Sequence, residues 1–507
     1  MPSLEPRHLA LPASVRLLWR NRSPLTRTII VVTLGLVSFV VLAGSLGAHR
    51  HVLNIPAIYN NGFHPLPPLY PKYAEEERLL PQHDKNLPFP EGAHGRFLRF
   101  EDQLWGTGLN NQLFEVLLNS EIAYRSNRAY VFTPFIWDAI AKGDYVAVKS
   151  DTHLPAALST NVRATHVPLR AILRSPTSGE PWPNHPNPPP RSVSREWYDK
   201  VCPPSRRFII DTTETNERIG VDFERDSTPV IIEKWSEYLR NLDEPCAHIN
   251  WDTPRINDFR TMGSPSLELL WPSFSASPVM TAFQWSPVVI HAVENNLQLL
   301  RLSSSQSRIE GGIQPADAPR HPDIVPGLIT LHVRRQDFEG RKYTTLSTFA
   351  PFHGWAQLSF LPDRLILPPS ATESESERAK YVFPRCWLEI DGIVERLHSL
   401  RAEYNHVAHE EGKKIELKKV HVATNGNPEW VGELKKALWR DGWGSVTSTY
   451  DLRLDWEEGG APVDGAIDME MAARGEVFVG NGFSTFTSTT VSLRLVRGIP
   501  PSQTHFW

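Results

Sequence analysis

Hydrophobic and polar positions fall into three regimes along the chain. The first is a continuous uncharged run, Thr28–Ala48, rich in Val, Leu and Ile. It approaches the ~20 residues that a helix rising about 1.5 Å per residue needs to cross ~30 Å of hydrocarbon. No polar face interrupts it, which sets it apart from a buried core helix. Arg7, Arg16, Arg20, Arg22 and Arg27 precede it against the single acid Glu5, whereas only Arg50 lies between it and Lys72. The positive-inside rule then puts a tail of residues 1–27 in the cytosol and everything after residue 49 in the lumen or outside. A cleaved signal peptide, cut near Gly47 and Ala48, is the rival reading. The run exceeds the about 7–15-residue core of a signal peptide and favours an uncleaved anchor.

In the second regime, residues 49–94, Pro56, Pro65, Pro67, Pro68, Pro71, Pro81, Pro88 and Pro90 interrupt helix or sheet continuity, so the stretch reads as a stem. From Gly95 the third regime begins: short apolar runs of strand length alternate with helical periodicity, the rhythm of a doubly wound α/β sheet. No internal repeat is visible. Breaks rich in Pro and Ser at 175–192, 303–326 and 361–379 read as surface loops. The middle break separates an N-terminal Rossmann-like domain, 95–308, from a C-terminal one, 323–507, through a linker at 309–322.

Composition narrows the function. Hydrophobic residues make up 40%, charged residues 22% and aromatics 10%, an ordinary globular balance. With 53 basic against 57 acidic residues the net charge is -4, so no global field exists to hold a nucleic-acid backbone. Anions must be recognised by local sites. Cys202, Cys246 and Cys386 allow at most one intramolecular disulfide and do not form a zinc module. The sequon Asn21-Arg22-Ser23 falls on the cytosolic side of the anchor, and Gln503–Trp507 carries no lumenal retention signal. Together these favour a single-pass type II protein of the Golgi or ER membrane with a lumenal head. The 16 tryptophans read as core filling rather than as sugar platforms.

Four stretches could carry chemistry. In Trp105-Gly-Thr-Gly-Leu-Asn-Asn-Gln-Leu-Phe-Glu115, a Gly/Asn corner enters a helix and can present N–H groups and the Asn111 amide to an anion or acceptor. The run Leu328-Ile-Thr-Leu-His-Val-Arg-Arg-Gln-Asp-Phe338 drives an apolar strand into His332, Arg334, Arg335 and Asp337, at the strand end where open α/β sheets bind ligands. Thr330, His332 and Arg334 share one strand face, and a guanidinium there can clamp a diphosphate. Arg335 and Asp337 read equally well as a surface ion pair. Lys419–Glu429 is a further βα unit, with Leu434 and Leu438 on the buried side of its helix. Finally, Asp468-Met-Glu470 leads through Phe478-Val-Gly-Asn-Gly-Phe-Ser-Thr-Phe-Thr-Ser488 into a helix ending near Arg497-Gly498. Its N-terminus offers about half a positive charge to a phosphate, with Ser484, Thr485 and Thr487 as hydroxyl donors. No nucleoside-triphosphate P-loop, nucleophile-elbow serine, zinc-protease or EF-hand motif is present, nor an Asp-x-Asp pair for a divalent cation.

In combination these stretches resemble the GDP-fucose-dependent protein O-fucosyltransferase family and its plant O-fucosyltransferase-like and α1,6-fucosyltransferase relatives. The resemblance rests on Gly108-x-Asn-Asn111-Gln112 with Asn127-Arg128, His332-x-Arg334-Arg335, Val422-Ala-Thr424, and Asp468 ten residues before Phe478-Val-Gly-Asn481-x-x-Ser484-Thr-Phe-Thr487. It implies a GT-B fold of two facing Rossmann-like domains with GDP-fucose held mainly by the second. Arg334 would then hold the β-phosphate and assist its departure, with His332 and Asp468 at the nucleotide. Ser484, Thr485, Phe486 and Thr487 would line the phosphate and base site, and Asn111 would position sugar or acceptor. Glu115 is the candidate general base. The reaction would be inverting transfer of fucose to a protein or glycan hydroxyl, with no metal or other cofactor and no nucleic-acid partner. Asn425 departs from the family, where many relatives carry Asp. Two alternatives stand beside this reading: a catalytically inactive membrane-anchored binding or scaffold protein, and a transferase using another nucleotide sugar.

Overall fold

A computed structural model describes residues 69–101, 103–104, 107–136, 145–149, 160–164, 166–183, 186–250, 252–302, 324–336, 339–340, 345, 351–413, 415–452 and 463–507. The expected anchor, Thr28–Ala48, its basic flank and the linker 309–322 lie outside the described residues. Among the described residues no helix is long and apolar enough to cross a membrane.

Fourteen strands are described: β1 (Phe97–Phe100), β2 (Ala129–Phe132), β3 (Phe135–Ile136), β4 (Tyr145–Lys149), β5 (Thr160–Ala164), β6 (His166–Val167), β7 (Val193–Ser194), β8 (Phe208–Ile210), β9 (Cys246–Ile249), β10 (Val325–Val333), β11 (Lys419–Thr424), β12 (Ser445–Ser448), β13 (Gly475–Gly480) and β14 (Thr504–Phe506). They build two five-stranded sheets, ordered β7-β2-β1-β9-β8 and β12-β11-β10-β13-β14, in which every neighbouring pair is parallel. The pairs β3–β6 and β4–β5 are antiparallel. Parallel strands need crossovers, and helices such as Leu109–Arg125 between β1 and β2 and Pro428–Arg440 between β11 and β12 supply them. The alternation read from the sequence is therefore the observed class, an α/β architecture with two parallel sheets.

Strands buried on both faces read as continuous apolar runs, and β10 is fully buried from Gly327 to Val333. Two faces of the second sheet are covered differently. Ile329, Leu331 and Val333 pack with Leu397, Leu434 and Leu438 from the helices Ile390–Glu410 and Pro428–Arg440. The opposite face carries Thr330 and His332, and Thr330 Oγ1 donates to the Ala472 carbonyl of the helix Asp464–Ala473. The largest core joins residues of both sheets, among them Leu98, Leu118, Met469, Phe478 and Phe486. Trp285 Nε1 donates to the buried Glu470 carboxylate (3.0 Å), and Arg474 pairs with Glu294 (2.5 Å). These contacts tie the sheet-one side to the sheet-two side.

Three stretches depart from expectation. The presumed stem contains the helix Leu69–Arg78, whose Tyr70 and Tyr73 enter the core. Pro71 does not prevent it, because a proline in the first helical turn removes an N–H that has no intrahelical partner. Residues 175–192, expected at the surface, bury Ser175, Thr177, Ser178 and Ser192 completely. Several of their polar groups are paired locally: Gln82 Nε2 donates to the carbonyls of Gly179 and Ser192, and Ser192 Oγ donates to that of Pro176. Residues 361–379 are largely helical, with Pro369–Glu373 followed by Glu375–Cys386, and bury Leu361 and Ala371. Of the cysteines, Cys202 and Cys246 form a disulfide that clips the helix Arg195–Val201 to the start of β9, while Cys386 is a buried free thiol.

Candidate functional site

The second sheet ends in a polar cluster. β10 lies at its centre, paired with β11 and β13, and His332 stands level with Ala423 and Gly480 near the carboxyl ends of all three. Its ring stacks on Phe486 (centroids 4.2 Å apart, planes 19° apart), and a 2.9 Å hydrogen bond links Nδ1 to Thr487 Oγ1. Both partners belong to the first turn of the helix Thr485–Val496. Burial, reinforced by the neighbouring Arg334 charge, holds the His332 pKa well below the usual imidazole range. The ring is therefore a neutral hydrogen-bonding group at physiological pH. Arg334, the first residue beyond β10, is half-buried and follows by two residues the ring that meets the helix start.

The turn from β13 into that helix is built for close approach. A Cβ on Gly480 would meet the Thr487 side chain at 2.5 Å, and one on Gly482 would meet the Phe352 ring at 2.5 Å. Asn481 locks the turn, accepting the Phe483 N–H (3.0 Å) and donating to the Cys386 carbonyl (3.0 Å). Ser484 occupies the N-cap but makes no side-chain capping bond. The helix thus keeps donors in its first turn without an internal cap, beside the half-buried Thr485 and the buried Ser484.

Asp468 approaches from the helix Asp464–Ala473. Thr449 Oγ1 donates to its Oδ2 (2.9 Å), while Oδ1 is buried with no hydrogen-bond partner among the described residues. Burial, with a smaller push from Asp464, raises its pKa from 3.8 to about 7. A buried carboxylate oxygen without a donor has a strong demand for an N–H or O–H from outside. Nothing in the sequence marked Thr449 as its partner.

The adjacent arginines separate sharply. Arg335 is buried between the rings of Trp387 and Trp430, 4.3 and 4.2 Å from their centroids, and its guanidinium donates to the Leu388 carbonyl. Its backbone N–H donates to Asn425 Oδ1 (2.7 Å). Arg335 is therefore buried rather than at the surface, with Glu389 3.9 Å away, and Asp337, its expected ion-pair partner, lies outside the described residues. Neither tryptophan could be paired with Arg335 from sequence, because 43 residues separate 387 from 430 and only the sheet brings them together.

Asn111 and Glu115 occupy the helix Leu109–Arg125. Its first residue approaches the helix of Asp468, since a Cβ on Gly465 would lie 3.5 Å from Leu109 Cδ2. Asn111, half-buried in the first turn, lies two residues along the helix from that approach. Glu115 has another environment. It is 1% exposed, its Oε2 accepts the Leu104 N–H (2.6 Å), and it faces a small crevice lined also by Phe100, Asn119 and Ile249 at the carboxyl ends of β1 and β9. That burial and that bond suit an anchor of the preceding loop better than a general base. Trp105 and Gly106 lie outside the described residues. Among the described residues, no group of three His, Cys, Asp or Glu side chains converges as a metal site.

No family model and no curated protein matches the chain. Among solved structures it is similar to POFUT1 in complex with GDP, at 14% identity and a TM-score of 0.43 over 82% of this chain and 99% of that one. POFUT1 in complex with GDP-fucose gives 12% identity and a TM-score of 0.43 over 83% and 99%. An Arabidopsis thaliana FUT1 mutant in complex with GDP gives 11% identity and a TM-score of 0.32, covering 83% of this chain and 73% of that one.

Proposed function

We propose that the protein is an inverting fucosyltransferase that moves fucose from GDP-fucose to a hydroxyl of a protein or glycan. One observation carries this reading: the end of β10 sets neutral His332 against the first turn of a helix whose N-cap makes no side-chain bond, with Arg334 two residues further along the chain and a buried, half-satisfied carboxylate on a neighbouring helix. A cation and a helix N-terminus suit a diphosphate. The unpaired oxygen of Asp468 suits the N–H donors on the edge of guanine, which uracil does not reproduce. His332, Phe486 and the hydroxyls of Ser484, Thr485 and Thr487 complete the nucleotide site.

In the reaction the bond between fucose C1 and the β-phosphate oxygen breaks as the acceptor oxygen attacks from the opposite face and passes its proton to water. Negative charge grows on the departing diphosphate. Arg334 and the Thr485 helix terminus, fixed before the reaction, stabilise that charge without reorganising, which is where electrostatic catalysis gains most. Asn111 orients sugar or acceptor from the facing helix. We further propose a type II membrane anchor at Thr28–Ala48 and a lumenal site in the Golgi or ER.

The test is calorimetric titration of the full chain with GDP, GDP-fucose, GDP-mannose and UDP-sugars, with EDTA and with divalent metal. Binding of GDP-fucose in EDTA, lost in Arg334→Ala, is the expected result. A folded chain that binds no guanine nucleotide removes the donor assignment and leaves the scaffold reading.

A further inference from the structure

The exit of β10 is gripped by side chains from other strands. On one flank, Thr424 Oγ1 at the end of β11 donates to the Val333 carbonyl (2.6 Å), and Asn425 Oδ1 accepts the Arg335 N–H (2.7 Å). On the other, Trp507 Nε1 donates to the His332 carbonyl (3.1 Å). Three backbone groups around Arg334 are thus held by side chains in addition to the sheet ladder.

Trp507 reaches its target from a distance. It follows β14, an edge strand separated from β10 by β13, and its backbone N–H donates to the Gly480 carbonyl (3.3 Å). Its indole is buried with Ile329, Leu331, Val333 and Val479, on the sheet face opposite the His332 ring. The segment is fixed at its own end as well: Arg385 donates to the Trp507 carbonyl (3.3 Å), and His505 bonds to Asp363 (2.8 Å). An apolar ring of similar size would fill this space. Only the indole N–H reaches the carbonyl of the peptide that precedes Val333.

We propose that Trp507 is a positioning residue for Arg334, acting through the His332 carbonyl. The His332–Val333 peptide plane sets the direction in which the chain leaves the sheet, and Arg334 is the first residue after that exit. Fixing the plane from one flank, while Thr424 and Asn425 fix the other, holds the guanidinium where the diphosphate charge develops. Small displacements at such a point reduce turnover more than binding, because transition-state contacts are the most demanding of geometry.

The catalytic part of this inference rests on the fucosyltransferase reading, and the experiment separates the two. Hydrogen exchange on the full chain compares wild type with Trp507→Phe, which keeps a ring and removes the N–H. Exchange is expected to rise about 10-fold within residues 330–336 and to stay unchanged in β1 and β13. With GDP-fucose, kcat is expected to fall about 10-fold while donor KM changes less than about 3-fold. On an Arg334→Lys background, Trp507→Phe is expected to cost nothing further. Trp507→His, a smaller ring that keeps an N–H donor, should pack worse yet turn over faster than Trp507→Phe. Exchange that rises evenly through the sheet, full additivity with Arg334→Lys, or the reverse ranking of His and Phe would each overturn the proposal. Should wild type bind no guanine nucleotide, the donor reading fails, and the exchange pattern still decides what Trp507 holds.

Discussion

The two parallel sheets have the same strand number and comparable topology, yet the polar groups at their carboxyl ends are arranged differently. At the end of β1 and β9 several charges pair within the protein, although Glu101 Oε2, Arg99 Nε and Asn119 Nδ2 are buried with no hydrogen-bond partner among the described residues. Glu101 lies at ion-pair distance from His248 Nε2 (3.1 Å) and Arg99 (2.5 Å), Arg99 also pairs with Asp199 (2.9 Å), and Glu115 accepts the Leu104 N–H. Gln112 is used twice over, donating to the carbonyls of Thr107 and Ile136 and accepting the Ile136 N–H. At the end of β10 and β13, Asp468 keeps an unpaired oxygen and the Thr485 helix lacks a side-chain cap. Topology makes both ends eligible to bind ligands, and what distinguishes the second is an unpaired carboxylate oxygen together with a helix whose N-cap makes no side-chain bond.

Removing charge tests that distinction most severely. Arg334→Ala is expected to lower kcat/KM by about 10²–10³-fold, the loss typical of a lost transition-state donor, with little change in Tm. Glu115→Gln, beside the end of the first sheet, should instead lower Tm and leave kcat/KM within about 10-fold, since it weakens a loop anchor. Steady-state kinetics beside thermal melts decide the matter. Equal activity losses in the two variants would mean that the first sheet also carries chemistry.

The disulfide sharpens the contrast from the stability side. In the chain-entropy account, closing the 44-residue separation between Cys202 and Cys246 contributes about 4 kcal/mol. The double Cys202→Ala/Cys246→Ala variant should therefore lose about 2–4 kcal/mol in denaturant unfolding. Its GDP affinity, measured where it remains folded, should match wild type, because the clip lies on the first sheet and the proposed nucleotide site on the second. A parallel loss of affinity would show that the two sheets are coupled more tightly than their contacts suggest.

These contrasts also explain what was legible in the sequence. The strands Leu328–Val333, Val420–Thr424 and Val477–Val479 announce themselves because burial on both faces demands continuous apolar runs, and each lies within an observed strand. His332, Thr487 and Phe486 could be grouped because strand end and helix start are each local patterns. Thr449, Trp387, Trp430 and Trp507 could not, because each meets the site only through sheet order. The helix Leu69–Arg78 was hidden for another reason: proline density suggests an extended stem, whereas Tyr70 and Tyr73 supply the tertiary contacts that make a short helix stable.

Asp468 gives a prediction with a pH signature. Its folded pKa of about 7 exceeds the unfolded value near 3.8, so the native state binds the extra proton between those values. Its contribution to stability is fully present below about pH 4 and is lost as pH rises through 7. His332 acts oppositely: its depressed pKa means that the unfolded imidazole takes a proton the native one refuses, so stability falls as pH drops below about 6.5. Asp468→Asn should remove the first effect and leave the second, raising Tm relative to wild type increasingly toward pH 8. The same substitution should weaken GDP binding about 10-fold or more and abolish its rise with pH through 7. A wild-type GDP affinity that is flat between pH 5.5 and 8 would count against a carboxylate acceptor for guanine.

The smallest effect is the most specific. A serine at a helix N-cap normally stabilises by about 1 kcal/mol, so its replacement by alanine is normally visible in a melt. Ser484 makes no capping bond, and Ser484→Ala should leave the apo Tm nearly unchanged. If its hydroxyl instead serves the diphosphate, the variant should lose about 3–10-fold in GDP affinity and little in affinity for guanosine, which lacks the phosphates. Calorimetry with the two ligands reads this directly. A Tm loss with unaltered GDP binding would make Ser484 an ordinary cap, and the second sheet would then differ from the first in Asp468 and Arg334 alone.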